Sequence, residues 1–476
     1  MLRLRKIFFY LFFLLYCLLC PVTILYALGY ILTPGAEHGL TKAGLVYLST
    51  SPDGASVFVE NKRFSEKTPT MIRGLLPGNY RLGVSMKGYR SWTRTVAIEP
   101  EKAVTFDKLI LLPKSWPRTE LPEGEFEDLA PMKNSRFLLL FKGPALEDLF
   151  FYDTKEKTLL PAVSADFSFK TARLTAYLLE EDGENILVRA QMGLWGEEKF
   201  FWIEPLARKG KVKDVTTLFR DKPRFVDWDR RRPGQFFAFR GGVLSRLDMS
   251  TGDVYAGFAN DIVAYGLSDK KLFFAGKDSG FVKTDFEGKS RDDLKADPVW
   301  MKALLSEQDT FKIKVIGRRF LFVGERGEIL SSEPPFRLAG EGVRDMEPDE
   351  DQRRILLRTD DRIGFLDFTP QPETPADYAA ARWWKFQGKK IRQIFWAYDG
   401  SHVLFLDEDE VCLVDLADGM GAEPEKCFEV KHGSSIFYSE RTGKIYFLEK
   451  NSGRFCVTDL LPKKVPLPGP AEGKAP

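Results

Sequence analysis

The sequence predicts a mainly β protein in which an N-terminal transmembrane helix precedes a small β-sandwich and a seven- or eight-bladed β-propeller. Three observations support this prediction. The chain begins with a long apolar run, continues with a short module of alternating strands, and then repeats a strand–turn pattern to near its C-terminus. Its 39 Phe residues, interspersed with Gly and Pro, favour many short strands and tight turns over long helices.

The N-terminal run, residues 7–32, contains no charged side chain, and Arg3, Arg5 and Lys6 stand directly before it. A bilayer core of ~30 Å needs ~20 apolar residues in a helix. We therefore expect residues 7–32 to form a signal-anchor helix, residues 1–6 to be a cytoplasmic stub, and the bulk of the chain to be exported to the periplasm or beyond the cell.

A cleaved signal peptide is the alternative for this run. Ala27-Leu28-Gly29 has the small-x-small pattern of a cleavage site. The apolar stretch is longer than the core of most signal peptides and continues through Tyr30, Ile31 and Leu32, which favours a retained anchor. Both alternatives export the rest of the chain.

Charge excludes one class of partner. The chain has 70 Lys and Arg against 68 Asp and Glu, a formal net charge of +2. Nucleic-acid binding proteins carry a basic excess, so we expect no nucleic-acid partner and a mixed soluble surface outside the membrane.

A compact module is predicted over residues 45–113, after a linker at 33–44. Residues 80–86 alternate strictly, with Tyr80, Leu82, Val84 and Met86 on one face. About six such strands in so short a segment would make a small sandwich.

Several turn motifs in this module resemble the PEGA domain family, with Asp53 in place of the usual Glu. The motif positions are Pro52, Asp53, Gly54, Ala55, Pro77, Gly78, Tyr80, Gly88 and Tyr89. The resemblance implies a β-sandwich of bacterial envelope and surface proteins, usually without catalytic residues. The motif has a structural purpose, because Gly54 and Gly78 can adopt positive φ and the prolines pre-set φ in the turns.

After a second linker at 114–123, residues 124–461 repeat apolar strands and turns, and the second strand of each unit ends near an Asp. Four short strands every 35–50 residues are typical of propeller blades. Trp396-Ala397-Tyr398-Asp399-Gly400 resembles a TolB-type propeller repeat, in which Asp-Gly forms the turn before an apolar strand. The alternative is a pair of stacked sandwiches or an irregular array of sheets. Residues 462–476, rich in Pro, are predicted to be a disordered tail.

Cys412 and Cys427 flank the turn-rich segment 417–421 symmetrically, so a hairpin would place them opposite each other. A disulfide between them and two unpaired thiols are both open alternatives. Cys456 has no evident partner.

No motif predicts catalysis, a cofactor or a metal. His38, His402 and His432 lack metal-site spacing. Ser401 and His402 are expected to point to opposite faces of one strand, which would prevent a nucleophile–base pair. The acidic segments 349–351 and 407–410 are expected to be solvated turns.

We therefore expect a non-catalytic envelope protein whose exported domains bind protein or glycan. Two other hypotheses stay open, namely a propeller hydrolase or lyase acting on envelope polysaccharide and the sensor ectodomain of a larger assembly.

Overall fold

The computed structural model describes residues 2–27, 30–32, 40–132, 135–179, 185–193, 196–204, 211–219, 223–229, 232, 234–268, 270–306, 309–317, 319–369 and 381–460. The chain divides into two compact units. The first contains an N-terminal helix and a sandwich, and the second, Arg118–Thr458, is a propeller. The predicted tail at 462–476 lies outside the described residues.

The N-terminal helix α1 spans Leu2–Ala27. Its segment Phe8–Leu25 is long and apolar enough to cross a membrane, and no other part of the described chain packs over it. Because α1 already starts at Leu2, most of the predicted stub at 1–6 belongs to the helix.

The C-terminal part of the predicted span is wrong. Residues Tyr30–Leu32 form strand β1, which pairs with β2 (Leu40–Lys42), with Tyr30 opposite Lys42. This pairing uses their backbone groups in a hairpin, so these residues cannot extend the helix. It also places strand residues inside the predicted linker at 33–44, of which 33–39 lie outside the described residues.

The sandwich consists of two sheets, with strand orders β6-β3-β9 and β5-β4-β7-β8. Its seven strands are β3 (Gly44–Ser51), β4 (Ser56–Val59), β5 (Lys62–Lys67), β6 (Thr70–Leu75), β7 (Gly78–Ser85), β8 (Trp92–Ile98) and β9 (Ala103–Ile110). Leu82 and Val84 are fully buried between the sheets, and Tyr80 and Met86 pack against the same core, which matches the predicted apolar face.

The propeller has eight four-stranded antiparallel blades within the described residues, the upper of the two predicted numbers. Blade 1 contains β11 (Asp128–Pro131), β12 (Phe137–Phe141), β13 (Leu149–Asp153) and β14 (Thr158–Pro161), and blade 2 contains β15 (Arg173–Leu179), β16 (Ile186–Gln191), β17 (Glu198–Ile203) and β18 (Val212–Asp214). Blade 3 contains β19 (Phe225–Trp228), β20 (Gln235–Arg240), β21 (Val243–Asp248) and β22 (Val254–Ala259). Blade 4 contains β23 (Ile262–Leu267), β24 (Leu272–Gly276), β25 (Gly280–Thr284) and β26 (Arg291–Asp293).

Blade 5 contains β27 (Phe311–Ile316), β28 (Arg319–Gly324), β29 (Ile329–Ser331) and β30 (Arg337–Ala339). Blade 6 contains β31 (Asp345–Pro348), β32 (Arg354–Arg358), β33 (Ile363–Asp367) and β34 (Arg382–Trp383). Blade 7 contains β35 (Ile391–Ala397), β36 (His402–Asp407), β37 (Glu410–Asp415) and β38 (Glu425–Glu429). Separate buried clusters lie between successive blades, so each blade covers the apolar face of its neighbour.

The eighth blade closes the ring. It combines β39 (Phe437–Ser439), β40 (Lys444–Leu448) and β41 (Arg454–Asp459) with β10 (Thr119–Glu125), which comes from the N-terminal side of the propeller. Ion pairs Arg454–Glu120 and Arg118–Glu449 hold β10 against this blade. The predicted linker at 114–123 is therefore wrong from Thr119 onward, because a closed ring needs an outer strand for its last blade.

Blades 4 and 5 are joined more tightly than the others. Their first strands, β23 and β27, pair in parallel and merge the two blades into one eight-stranded sheet. Helix α2 (Pro298–Ser306) follows the outer strand of blade 4, and Asp297 caps it by accepting a hydrogen bond from the Val299 N–H. Trp300 on α2 is buried between the two blades, against the rings of Phe281 and Phe322.

The Asp at the end of many third strands has a turn function. The Asp153 carboxylate accepts hydrogen bonds from the N–H groups of Lys155 and Glu156, at 2.9 and 3.1 Å. Asp248 and Asp367 cap the equivalent turns in blades 3 and 6 in the same way. The repeated Asp therefore satisfies backbone donors where the chain leaves the third strand.

Of the two alternatives for Cys412 and Cys427, the structure has the unpaired one, with both residues as buried free thiols. Strands β37 and β38 pair antiparallel, with Val411 opposite Phe428. If this register continued, Cys412 would lie opposite Cys427. A bulge then shifts Cys412 opposite Lys426. Burial raises the pKa of the Cys412 thiol to about 12, which keeps it protonated and unreactive at neutral pH.

Candidate functional site

The inner strands of blades 3, 4 and 5 bring together a polar cluster. Asp227 lies on β19, Tyr265 on β23 and Lys312 on β27. One Asp227 oxygen accepts a hydrogen bond from Lys312 Nζ at 2.9 Å, and the other accepts one from the Tyr265 hydroxyl. Lys312 Nζ also lies 5.0 Å from the centre of the Phe225 ring.

The hydrogen bonds of this cluster connect neighbouring blades. Burial and then the Asp227 carboxylate raise the pKa of the Tyr265 phenol far above its ordinary value, so Tyr265 stays a hydrogen-bond donor. The Lys312 cation offsets the Asp227 charge. Asp227 and Lys312 are 30% and 36% exposed, so the pair stays partly solvated while it links three successive blades.

Sequence reasoning missed this cluster. Its three residues are spaced about one blade apart and share no local motif. Only an accurate assignment of the first strand in each blade would have indicated that they converge.

A second group, Ser401, His402 and Asp415, has the residue types of a catalytic triad. The Ser401 hydroxyl lies 2.9 Å from His402 Nδ1, and His402 Nε2 lies 3.9 Å from Asp415. The expectation that Ser401 and His402 point apart is therefore wrong, because Ser401 lies in the turn before β36 and not on the strand.

Hydrogen bonds tie this group to the turn that carries Ser401. The Ser401 hydroxyl lies 2.7 Å from the carbonyl oxygen of Tyr398, to which it can donate, and 2.9 Å from His402 Nδ1, whose donor or acceptor role depends on the imidazole tautomer. His402 is also buried. The group instead fixes the turn 398–401, in which Tyr398, Asp399 and Gly400 all have positive φ.

The acidic turns are occupied by protein donors. Asp407 accepts hydrogen bonds from the N–H groups of Lys389 and Lys390, and Asp409 pairs with His432. Asp349 likewise accepts from the N–H groups of Arg353 and Arg354. In the part of the chain that the structure describes, no group of three or more His, Cys, Asp or Glu is arranged to hold a metal.

The motif residues at the start of the sandwich lie in a turn that hydrogen bonds to Thr68 hold in place. Gly54 N–H donates to the carbonyl of Thr68, Thr68 N–H donates to the carbonyl of Ala55, and the hydroxyls of Thr68 and Thr50 lie 2.6 Å apart. Gly54 has φ 92°, a conformation that a side chain would strain.

The remaining motif residues also lie in turns or in the core. Gly78 and Gly88 have φ 154° and 87° at either end of the β7 segment, and Pro77 precedes Gly78. Tyr80 and Tyr89 pack against the sandwich core. These motif residues therefore shape turns or fill the core of the sandwich.

Two buried tyrosines of the propeller predict how its folding stability changes at alkaline pH. Burial raises the pKa of Tyr152 and of Tyr438 to about 12, whereas an unfolded tyrosine titrates near about 10. Between these values the folded state holds more protons than the unfolded state. The stabilisation is thus complete below about pH 10 and is lost as pH rises towards about 12.

Urea unfolding at several alkaline pH values checks this prediction. The double variant Tyr152→Phe, Tyr438→Phe should lose stability less steeply with pH than the unsubstituted chain. Equal slopes for the two proteins would contradict the prediction.

Comparison with protein families supports the assignment of the sandwich. The model of the PEGA domain matches residues 43–111. No curated protein matches the sequence. A β-propeller domain of Cps50 (Swd1) from Myceliophteria thermophila is 12% identical, with a TM-score of 0.40 over 72% of this chain and 99% of that one.

Two further solved structures are similar at the same level. The computationally designed Ika8 protein is 11% identical, with a TM-score of 0.42 over 71% of this chain and 98% of that one. PorZ, a surface component of the type-IX secretion system of Porphyromonas gingivalis, is 13% identical, with a TM-score of 0.35 over 70% of this chain and 42% of that one. The number and order of the blades rest on this chain's own strand pairing. The chain therefore carries a PEGA domain, which follows an apolar helix and precedes an eight-bladed β-propeller.

Proposed function

We propose that this chain is a non-catalytic protein of the cell envelope, anchored by α1 with its N-terminus in the cytoplasm, whose exported PEGA domain and propeller bind a protein or glycan. The observation that carries the proposal is the exposure of α1. Its side chains from Phe8 to Leu19 are all apolar or uncharged and lie open to the surroundings. Such a surface is unfavourable in water and suits a bilayer.

The order of the elements supports a spacer function for the sandwich. Strand β3 begins two residues after β2, so this end of the sandwich lies close to the helix in sequence. The chain leaves the sandwich after β9, which runs parallel to β3. The β3 strand of eight residues, with seven steps of ~3.4 Å between its ends, therefore separates the entry and exit of the chain by roughly 24 Å.

Two features support binding over hydrolysis. The Ser401 hydroxyl has a backbone carbonyl as a hydrogen-bond acceptor, and the Asp227 charge is offset by Lys312. A rigid ring that holds its polar groups in such links offers a stable surface for recognition, as expected of a scaffold.

Fractionation and topology mapping of the full chain in a bacterial host test the anchor. We expect the protein to stay in the membrane pellet through high salt and alkaline carbonate, and alkaline phosphatase fused to its C-terminus to be active. A variant lacking residues 2–27 should be soluble and its fusion inactive, because neither insertion nor export would occur.

Two results would contradict this arrangement. Release of the intact chain by salt alone would show that α1 does not span the bilayer. A mature N-terminus at Tyr30 would show that the segment is a cleaved signal peptide.

A further inference from the structure

We propose that the outer face of the sandwich sheet β5-β4-β7-β8 binds a polyanionic polysaccharide of the envelope. The inference deepens the proposed function and rests on it, since the sandwich must be exported to meet such a polymer. It follows from three properties of this face: the alignment of its side chains, its charge and the small residues in its middle.

The outer face is defined by strand alternation. Val57, Leu82, Val84 and Val96 point into the core, so their neighbours along β4, β7 and β8 point outward. Cross-strand pairing aligns the outward residues in the rows Lys67–Ser56–Ser85, Arg63–Phe58–Gly83–Thr93 and Arg81–Thr95.

The charges exposed on these rows are all positive. Arg63, Lys67 and Arg81 are exposed. Glu60, at the border of the face, accepts a hydrogen bond from the Arg81 N–H at 2.6 Å, and Glu66 on β5 accepts one from the Thr70 hydroxyl. Both acids keep their charge but lie outside the rows, whereas Arg63 extends to the neighbouring row and donates a hydrogen bond to the Ser56 hydroxyl at 3.3 Å.

The shape of the face suits an extended chain of sugar rings. Its middle consists of small residues, with Ser56 and Ser85 side by side and Gly83 leaving space beside Phe58. Hydroxyl groups and an aromatic ring can contact the faces and edges of sugars. Guanidinium and ammonium groups next to them pair with carboxylates or phosphates on the polymer.

The distribution of charge favours a polymer over the lipid surface. The end of the sandwich that follows α1 in sequence carries the pairs Lys42–Glu101 and Lys102–Glu99, which cancel each other's charge. Juxtamembrane binding to anionic lipids needs a basic excess at that end. The unbalanced cations lie instead along the strands of one sheet face.

Binding of the full chain, held in discs of neutral lipid, to immobilised polygalacturonate tests the proposal. We expect binding that weakens as salt rises, because each phosphate or carboxylate contact releases counterions. The triple variant Arg63→Glu, Lys67→Glu, Arg81→Glu should bind at least about tenfold more weakly and show a shallower salt dependence.

The control variant Arg73→Glu, Lys102→Glu, Lys114→Glu changes the net charge by the same amount away from this face, and it should bind within about twofold of the unsubstituted chain. An equal loss in both variants would show that only net charge matters and would overturn the proposal.

Absence of polygalacturonate binding at low salt would also overturn it. Stronger binding to phosphatidylglycerol vesicles or to a DNA oligonucleotide than to the polymer would replace it by another class of partner. Because the protein is supplied purified in discs, failure here leaves the membrane anchor untouched, and the anchor is judged by fractionation alone.

Discussion

Replacing Trp300 with alanine should destabilise the propeller by about 3–5 kcal/mol, the cost typical of removing a large buried aromatic side chain. Trp300 is 1% exposed and contacts the rings of Phe281 and Phe322, 5.5 and 4.9 Å away between centres. Blades 4 and 5 are already fixed to each other by the pairing of β23 with β27. They cannot easily move together to fill the cavity, which places the expected loss in the upper half of this range.

The same helix offers a matched control. Val299, the neighbour of Trp300, is 64% exposed, so Val299→Ala should change the unfolding free energy by less than about 0.5 kcal/mol. Urea unfolding followed by far-ultraviolet circular dichroism measures both variants. Similar losses for the two would show that α2 matters only as a helix, and a loss below about 1 kcal/mol for Trp300→Ala would show that the cavity closes.

Replacing Gly266 with alanine should destabilise the same junction by about 3 kcal/mol or prevent folding of the propeller. A Cβ atom at Gly266 would lie 1.9 Å from the carbonyl oxygen of Ile313 and 2.7 Å from its Cβ. The obstacle is backbone, so no rotamer change relieves it. Strands β23 and β27 would have to separate, with loss of the hydrogen bonds between them.

Gly340 provides the control for this substitution. No heavy atom lies within 4 Å of a Cβ built at Gly340, so Gly340→Ala should be tolerated with a change below about 0.5 kcal/mol. Thermal unfolding of the two variants side by side makes the comparison. If Gly266→Ala unfolds at the temperature of the unsubstituted chain, the parallel pairing of blades 4 and 5 is wrong.

The sequence was most informative where structure repeats. The alternation in β7, the motif turns of the PEGA domain and the Asp at the end of the third strands all have local causes, so local patterns revealed them. The fold class was confirmed for the same reason, because each blade repeats the same short-range order of strands and turns.

Sequence reasoning failed where partners are distant in the chain. Strand β10 looked like a linker, since its partner β41 lies at the other end of the propeller. Tyr30–Leu32 looked like membrane helix, since their apolar side chains do not reveal a hairpin. The cluster of Asp227, Tyr265 and Lys312 and the bulge at Cys427 depend on strand register, which no single segment encodes.

The closing strand β10 has a consequence for biosynthesis. Its partner β41 is the last strand of the described propeller to leave the ribosome, so the blade that both complete can assemble only after the other seven blades have emerged. Until then seven blades would present open edges on both sides of a gap, and neighbouring chains could fill it. A holdase that covers the gap during synthesis would therefore be expected to raise the yield of monomeric protein.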